Sequence, residues 1–278
     1  MFYLLLAILG SALISVIMRL SSNRVTARLS MLCANYLMCL TLAAAFSGFR
    51  ILPYRDDGFF GALGMGLGNG VLYLSSFILL QYTTRKAGVV LSSVFMKLGL
   101  LVPFVLSITL FRETPTTLHI CGFVLAVAAI ILMYCKKDAS GKAPMLWLLA
   151  LLILGGSANA MSKVFDTWGA ASLSGQFLFY TFFSAFLLCA LLVLQRKEKP
   201  KCRDLLFGLA IGIPNFFASK FLLEALSHLP AVICYPTFSV GTILLITLAG
   251  ILLFKERLSK VQWLSLAGIS AAILLLNL

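Results

Sequence analysis

Lys97 sits near the centre of an apolar run, SSVFMKLGLLVPF, with Ser93 one helical turn before it on the same face. An ammonium placed in hydrocarbon is costly, so it either lines a polar cavity or is held by carbonyls and hydroxyls of neighbouring helices. A hydroxyl and an ammonium on one stripe suit an anionic group. Lys220 and Glu224 are spaced i, i+4 in a second apolar run, so they share a helix face and can pair. Asn215 lies near a turn below them. That pair is either a structural bridge near a helix end or a gate whose pairing changes as a ligand or a proton binds. Asn69 and Tyr73 share a face of a glycine-rich run, and Asn159 stands one turn before Lys163 in another. Lys163 with Asp166, and Arg19 below Ser11 and Ser15, lie at run ends, where snorkelling accounts for the charge. Glu113 and Glu256, beside Arg112 and Lys255/Arg257, read as turn-shaping residues and repeat contacts rather than ligand groups.

Covalent chemistry finds little support. There is no HExxH, no paired-aspartate motif and no histidine–nucleophile constellation, and His119 and His228 lack partners at metal-ligand spacing. The seven cysteines (Cys33, Cys39, Cys121, Cys135, Cys189, Cys202 and Cys234) contain no CxxC pair and fall mostly inside apolar runs. They read as small buried hydrophobes in reduced form. The sequence therefore calls for no catalytic residue, no metal and no cofactor.

The elements that position these side chains must be membrane helices. The 278 residues are 61% hydrophobic and 11% charged, whereas soluble domains carry about 25% charged residues. Apolar runs of about 20 residues, the length that crosses a bilayer core, alternate with short polar breaks. The runs are 2–20, 30–48, 58–82, 88–111 and 117–135, then 145–165, 174–194, 204–226, 231–254 and 261–277. Lipid offers no partner to backbone N–H and C=O groups, so each must be helical. The polar break from Lys136 to Pro144 separates two halves, 1–137 and 144–278, of five spans each.

The halves repeat one another. FRETPTTLHICGFVLAVAAIILM, from Phe111, returns without a gap as FKERLSKVQWLSLAGISAAILLL from Phe254. Two softer matches accompany it: Gly68-Asn69-Gly70 with Pro214-Asn215-Phe216, and Tyr36 with Tyr180. An odd number of spans per half turns the second copy over. The expected fold is therefore all-α integral membrane: ten transmembrane helices as two inverted five-helix repeats, with a shared cavity near the midplane. Glycines at 61, 64, 66, 68 and 70 permit close packing or bending of the third span, and Pro103, Pro214 and Pro236 add kinks or gates.

Twenty-two Lys and Arg against nine Asp and Glu give a net charge of +13. No basic, aromatic-interleaved surface exists outside the spans, which excludes nucleic acid; topology control and anionic headgroups account for the excess. Arg24, Arg28, Arg85, Lys86, Lys136, Lys137, Lys142, the basic residues from Arg196 to Arg203, and Lys255, Arg257 and Lys260 fall in loops on one side. Arg50, Arg55 and Arg112 fall on the other. The positive-inside rule then places both termini outside. The first run lacks a basic n-region and a cleavage site and reads as a retained helix. Without a targeting extension, the expected location is a plasma membrane, as in a bacterium.

The FKERLSKVQWLSLAGISAAILLL segment resembles the end of an EamA-type repeat of the drug/metabolite transporter superfamily. Leu229-Pro230-Ala231 and Ala87-Gly88, at the entries to the ninth and fourth spans, are similar too. The resemblance covers the whole chain. It implies a multi-pass plasma-membrane carrier that moves a small metabolite by alternating access, with both termini in the cytoplasm, against the loop charges. The expected partners are the lipid bilayer, a small-molecule substrate, and a coupling proton or counter-substrate. Two functions follow: a secondary carrier for an anionic or zwitterionic metabolite, or a proton-coupled exporter of amphiphiles with Glu224 as the titrating group. An intramembrane lipid-modifying enzyme is the remote third.

Overall fold

The computed structural model describes residues 1–21, 24–52, 56–87, 89–134, 145–255 and 259–278. Its helices, in chain order, are α1 (Phe2–Ser21), α2 (Arg28–Phe46), α3 (Phe59–Ala87), α4 (Val89–Leu98), α5 (Leu101–Thr109), α6 (Thr117–Tyr134), α7 (Met145–Trp168), α8 (Ser174–Arg196), α9 (Cys202–Leu226), α10 (Ala231–Phe254) and α11 (Lys260–Leu276). A 3-10 turn, Ala171–Leu173, leads into α8. Eight stretches are long and apolar enough to cross a membrane, α4 and α5 together supplying one, and Thr117–Met133 and Lys260–Leu276 are shorter apolar helices. Ten spans result, as the sequence leads one to expect. Glu256, Arg257, Arg55, Cys135, Gly88 and the 136–144 break lie outside the described residues.

The fourth span departs from expectation by breaking in two, for a local reason. Pro103 has no N–H to give the Gly99 carbonyl, and Val102 N bonds it instead at 3.1 Å. Gly99 N and Leu100 N likewise reach three residues back, to Met96 and Lys97 carbonyls, both at 3.3 Å. Packing fixes the break. A Cβ on Gly99 would stand 3.1 Å from Gly156 N of α7, and one on Gly156 would collide with the Gly99 carbonyl.

The chain forms two compact units, each drawing on both halves of the sequence: Met1–Leu74 with Met161–Ala225, and Ser75–Ala160 with Leu226–Leu278. In the second unit, α6 packs along α11. Gly122 meets Leu276 while Gly268 meets Ala129, so the two helices run antiparallel. Ala126, Ala129, Ile269 and Ala272 are almost wholly buried there, and the three alanines let the backbones approach. Phe104 of α5 stacks on Phe123 of α6 beside this seam. The repeated segment is thus one surface meeting its own copy, an isologous contact within a single chain.

The repeat extends to the turns. Arg112 and Lys255, 143 residues apart, both adopt positive φ, at 54° and 52°. Just beyond them, each copy begins its last span with a reciprocal cap. Ser259 Oγ accepts from Gln262 N while Gln262 Oε1 accepts from Ser259 N. Thr116 and His119 make the same exchange at α6, both bonds at 3.3 Å.

In the first unit, α2 packs along α8. Ser47 lies against Gly175 at one end, and Cys189 Sγ donates to the Leu29 carbonyl at the other, so this pair is antiparallel too. α3 and α9 lean on them through matching positions. A Cβ at Gly66 would stand 2.7 Å from Tyr180 Cβ, and one at Gly212 would stand 2.5 Å from Met38 Cβ. Each of these glycines begins a Gly-x-x-Asn sequence, ending at Asn69 and Asn215. Antiparallel pairing of corresponding helices is what inverted repeats require.

Candidate functional site

A cavity of about 400 Å³ opens in the first unit where α2 ends, α8 begins and the second half of α9 passes. Its charged lining is Lys220, Glu224 and Arg50; Phe46 and Phe216 form an aromatic wall, and Ser47, Ser174 and Gln176 add polar groups. Helical spacing brings Lys220 and Glu224 to the same wall, one turn apart. Lys220 Nζ lies 4.1 Å from the centroid of the Phe46 ring, within cation–π range. Phe46 touches Phe216 and Phe217 at 5.5 Å each, and the aromatic row continues through Phe221 to Tyr3.

The rim is held from α8. Gln176 Nε2 donates to the Arg50 carbonyl at 2.9 Å, and the Tyr180 hydroxyl donates to the Ile51 carbonyl. Arg50 itself pairs with Asp56 at 3.2 Å. Because α8 starts at the cavity wall, the positive end of its dipole faces the same space. The cavity lies toward the ends of its helices, on the α2 C-terminal side, and not at their middle.

The other sequence-derived residues distribute between the units. In the first, Asn215 Nδ2 donates to Asn35 Oδ1 at 3.1 Å. Asn69 is buried, its Nδ2 3.5 Å from Thr181 Oγ1 and its Oδ1 without a partner among the described residues. Tyr73, half-buried on α3, meets Ser219 of α9. With buried Cys39, whose thiol donates to the Gly212 carbonyl at 3.3 Å, these groups form a polar seam through the α2, α3, α8 and α9 faces. Lys163 and Asp166 are paired at 3.1 Å and largely buried, so the lysine is neutralised locally in addition to any snorkelling.

In the second unit, half-buried Lys97 lies in the last turn of α4, one residue before its end at Leu98, and its carbonyl takes part in the turns that break the span. Its ammonium makes no hydrogen bond or ion pair with a described residue. Ser93 is half-buried on the same helix. Asn159 lends its carbonyl to the Tyr235 hydroxyl at 2.8 Å.

Three carboxylates hold helix ends. Glu113 receives Ala231 N and Val232 N, both at 2.9 Å, capping α10. Asp204 receives Thr26 N, the Thr26 hydroxyl, Ala27 N and Lys201 N, and Glu198 receives Ser30 N and its hydroxyl; both sit where α2 starts. Sequence reasoning placed Glu113 in a structural role but missed Asp204 and Glu198. Apart from Lys201 N, their partners lie 168 to 178 residues away, and no local spacing reports those.

Fold and lining together define a multi-pass integral membrane protein, built from two inverted five-helix repeats, with a charged, aromatic-walled cavity. The chain belongs to the EamA-like transporter family, which it matches twice, over residues 1–135 and 142–278. An uncharacterized protein of Haemophilus influenzae (strain ATCC 51907 / DSM 11121 / KW20 / Rd) is 25% identical over 274 residues, 95% of this chain and 93% of that one. A solved crystal structure shares the fold with a TM-score of 0.80 at 15% identity, covering 99% of this chain and 94% of that one. Members of the family are membrane transporters.

Proposed function

We propose that this transporter is a secondary carrier for a small polar metabolite, taken as an anion or zwitterion and moved across the plasma membrane by alternating access. The observation that carries this reading is the cavity holding Lys220 and Glu224. Lys220 and the α8 N-terminus favour a carboxylate or phosphate, and Glu224, one turn away, favours an ammonium on the same molecule. Its volume, about 400 Å³, falls in the range of small-ligand pockets. Lys97 with Ser93, and the polar side chains of Asn69, Tyr73, Asn159 and Asn215, form further polar stations in the spans. No catalytic residue, metal or cofactor enters the reading.

Ligand-dependent thermal stabilisation of the purified protein tests it, because a ligand of the folded state raises the melting temperature by mass action. Carboxylates, amino acids and amines are compared on the wild type, Lys220→Met, Glu224→Gln and Lys97→Met. Stabilisation by an amino acid or carboxylate that Lys220→Met abolishes is the expected result. Stabilisation by amines alone, unchanged in Lys220→Met, would overturn it.

The aromatic row from Phe46 to Tyr3 favours a second reading, a proton-coupled exporter of amphiphiles with Glu224 as the proton carrier. In that case Glu224→Gln abolishes the pH dependence of export and leaves folding intact. A pH profile unchanged by that substitution excludes it.

A further inference from the structure

We propose that the end of the first unit where α2 begins holds an anionic phospholipid of the bilayer, its headgroup on the loop between α8 and α9 and an acyl chain in the groove beneath. The inference is independent of what the cavity carries. The groove, about 230 Å³, runs between α2, α8 and α9 and is lined by Cys33, Ala34, Leu37, Phe186, Val193 and Leu205, with Pro200 closing it at the loop. Its one hydroxyl, on Ser30, is turned away into the Glu198 carboxylate at 2.9 Å. What remains is a slot of carbon surface on three helices that pass through hydrocarbon.

The loop above the groove is cationic in an unusual way. Arg196, Lys197, Lys199, Lys201 and Arg203 are all exposed, and Arg24 and Arg28 are exposed at the adjoining start of α2. The two acids among them do not balance this surface. Glu198 faces inward onto Ser30, and Asp204, with no exposed area, is enclosed by Thr26, Ala27 and Lys201. Arg203 bonds the Arg24 carbonyl, tying the two basic segments together. Carboxylates buried as helix caps thus leave a surface of one sign, at the depth where helix ends meet headgroups. A soluble anion would use the loop and leave the groove empty; a zwitterionic lipid would use the groove and not the loop. An anionic diacyl lipid uses both, the two-part attachment that makes lipid contacts durable.

The test uses the detergent-purified full chain and three probes: dioleoyl-phosphatidylglycerol, dioleoyl-phosphatidylcholine and inorganic phosphate. Melting temperature and lipid adducts retained in native mass spectrometry are read together. Phosphatidylglycerol is expected to raise the melting temperature and remain bound, while the other two do neither, and added salt reduces the shift. The exposed-loop variant Lys197→Gln/Lys199→Gln/Lys201→Gln should lose most of the shift. Leu37→Trp, which fills the groove from its rim, should lose the retained adduct. Equal shifts from both lipids, or an equal shift from phosphate, would overturn the proposal, as would a full phosphatidylglycerol shift in the triple variant. The wild-type lipid comparison decides the matter even if Leu37→Trp fails to fold.

Discussion

Glu113 gives the sharpest quantitative test of how this fold is held. Its carboxylate reaches across 118 residues of sequence to accept Ala231 N and Val232 N, both at 2.9 Å. Those are two of the N–H groups that a helix start leaves without intrahelical partners. A hydrogen bond to a charged group contributes about 1.5–3 kcal/mol, so Glu113→Ala should cost the closed first turn of α10 roughly 3 kcal/mol. Glu113→Gln keeps one neutral acceptor and should cost about half of that. Cys234, wholly buried in that first turn, reports on it directly. With Cys33, Cys121, Cys135 and Cys202 replaced by serine, buried Cys39 and Cys189 remain as internal standards. Maleimide labelling, resolved by peptide mass spectrometry, then measures opening of the turn. At about 1.4 kcal/mol per factor of ten, Cys234 labelling should rise roughly a hundredfold in the alanine variant and tenfold in the glutamine variant. Unchanged labelling in Glu113→Ala would refute the capping argument. Labelling that rises equally at Cys39 and Cys189 would show global loosening and refute a local role.

Two further outcomes follow from the packing. A double-mutant cycle on Asn35→Leu and Asn215→Leu, read by denaturant unfolding, should give a favourable coupling of about 0.6 kcal/mol and no more than about 1.7, as for other hydrogen bonds between membrane helices. Zero coupling would mean the 3.1 Å contact contributes nothing to stability. Gly66→Leu and Gly212→Leu should each lower the melting temperature, because the new side chain meets Tyr180 or Met38 with no space to spare; overpacking of this kind costs about 1–3 kcal/mol or more. Gly68→Leu, at a position with nothing within 4 Å, is the control and should be neutral.

What the sequence disclosed follows the physics of lipid. Span number and limits were legible because each run must satisfy its own backbone, and hydropathy alone marks where that holds. The repeat was legible where one surface packs on its own copy: Ala128-Ala129-Ile130 and Ala271-Ala272-Ile273 recur because α6 and α11 share one antiparallel seam. The break after Leu98 was only half legible. Pro103 announced a kink, but its position depends on Gly156, on another helix. Lys220 and Glu224 could be placed on one face by spacing, whereas the wall opposite them, Phe46 with the 172–176 segment, is brought there by the α2–α8 pairing. The sequence carries no adjacency that reports it. Asn69 and Asn215 were matched as a pair, and Gly66 was among the glycines read as permitting close packing of α3, but its counterpart Gly212, which sets how closely α9 approaches α2, was passed over because it stands outside any glycine-rich run.

The nine acidic residues, set against twenty-two basic ones, divide by what they hold. Asp56 and Asp166 neutralise Arg50 and Lys163. Glu113, Glu198 and Asp204 receive backbone N–H groups at helix starts. A carboxylate committed to backbone donors cannot respond to a ligand without undoing the helix end it holds, and each of these sits where a span begins. Glu224 differs: among the described acidic residues it alone lines the cavity. A charged group that must change partners during a transport cycle has to stand where a ligand can reach it and where no helix terminus depends on it. Glu224, eight residues beyond Phe216 and one turn from Lys220 along a continuous α9, meets the first condition through the cavity it lines. That is why its substitution by glutamine, rather than that of any capping acid, separates the metabolite carrier from the proton-coupled exporter.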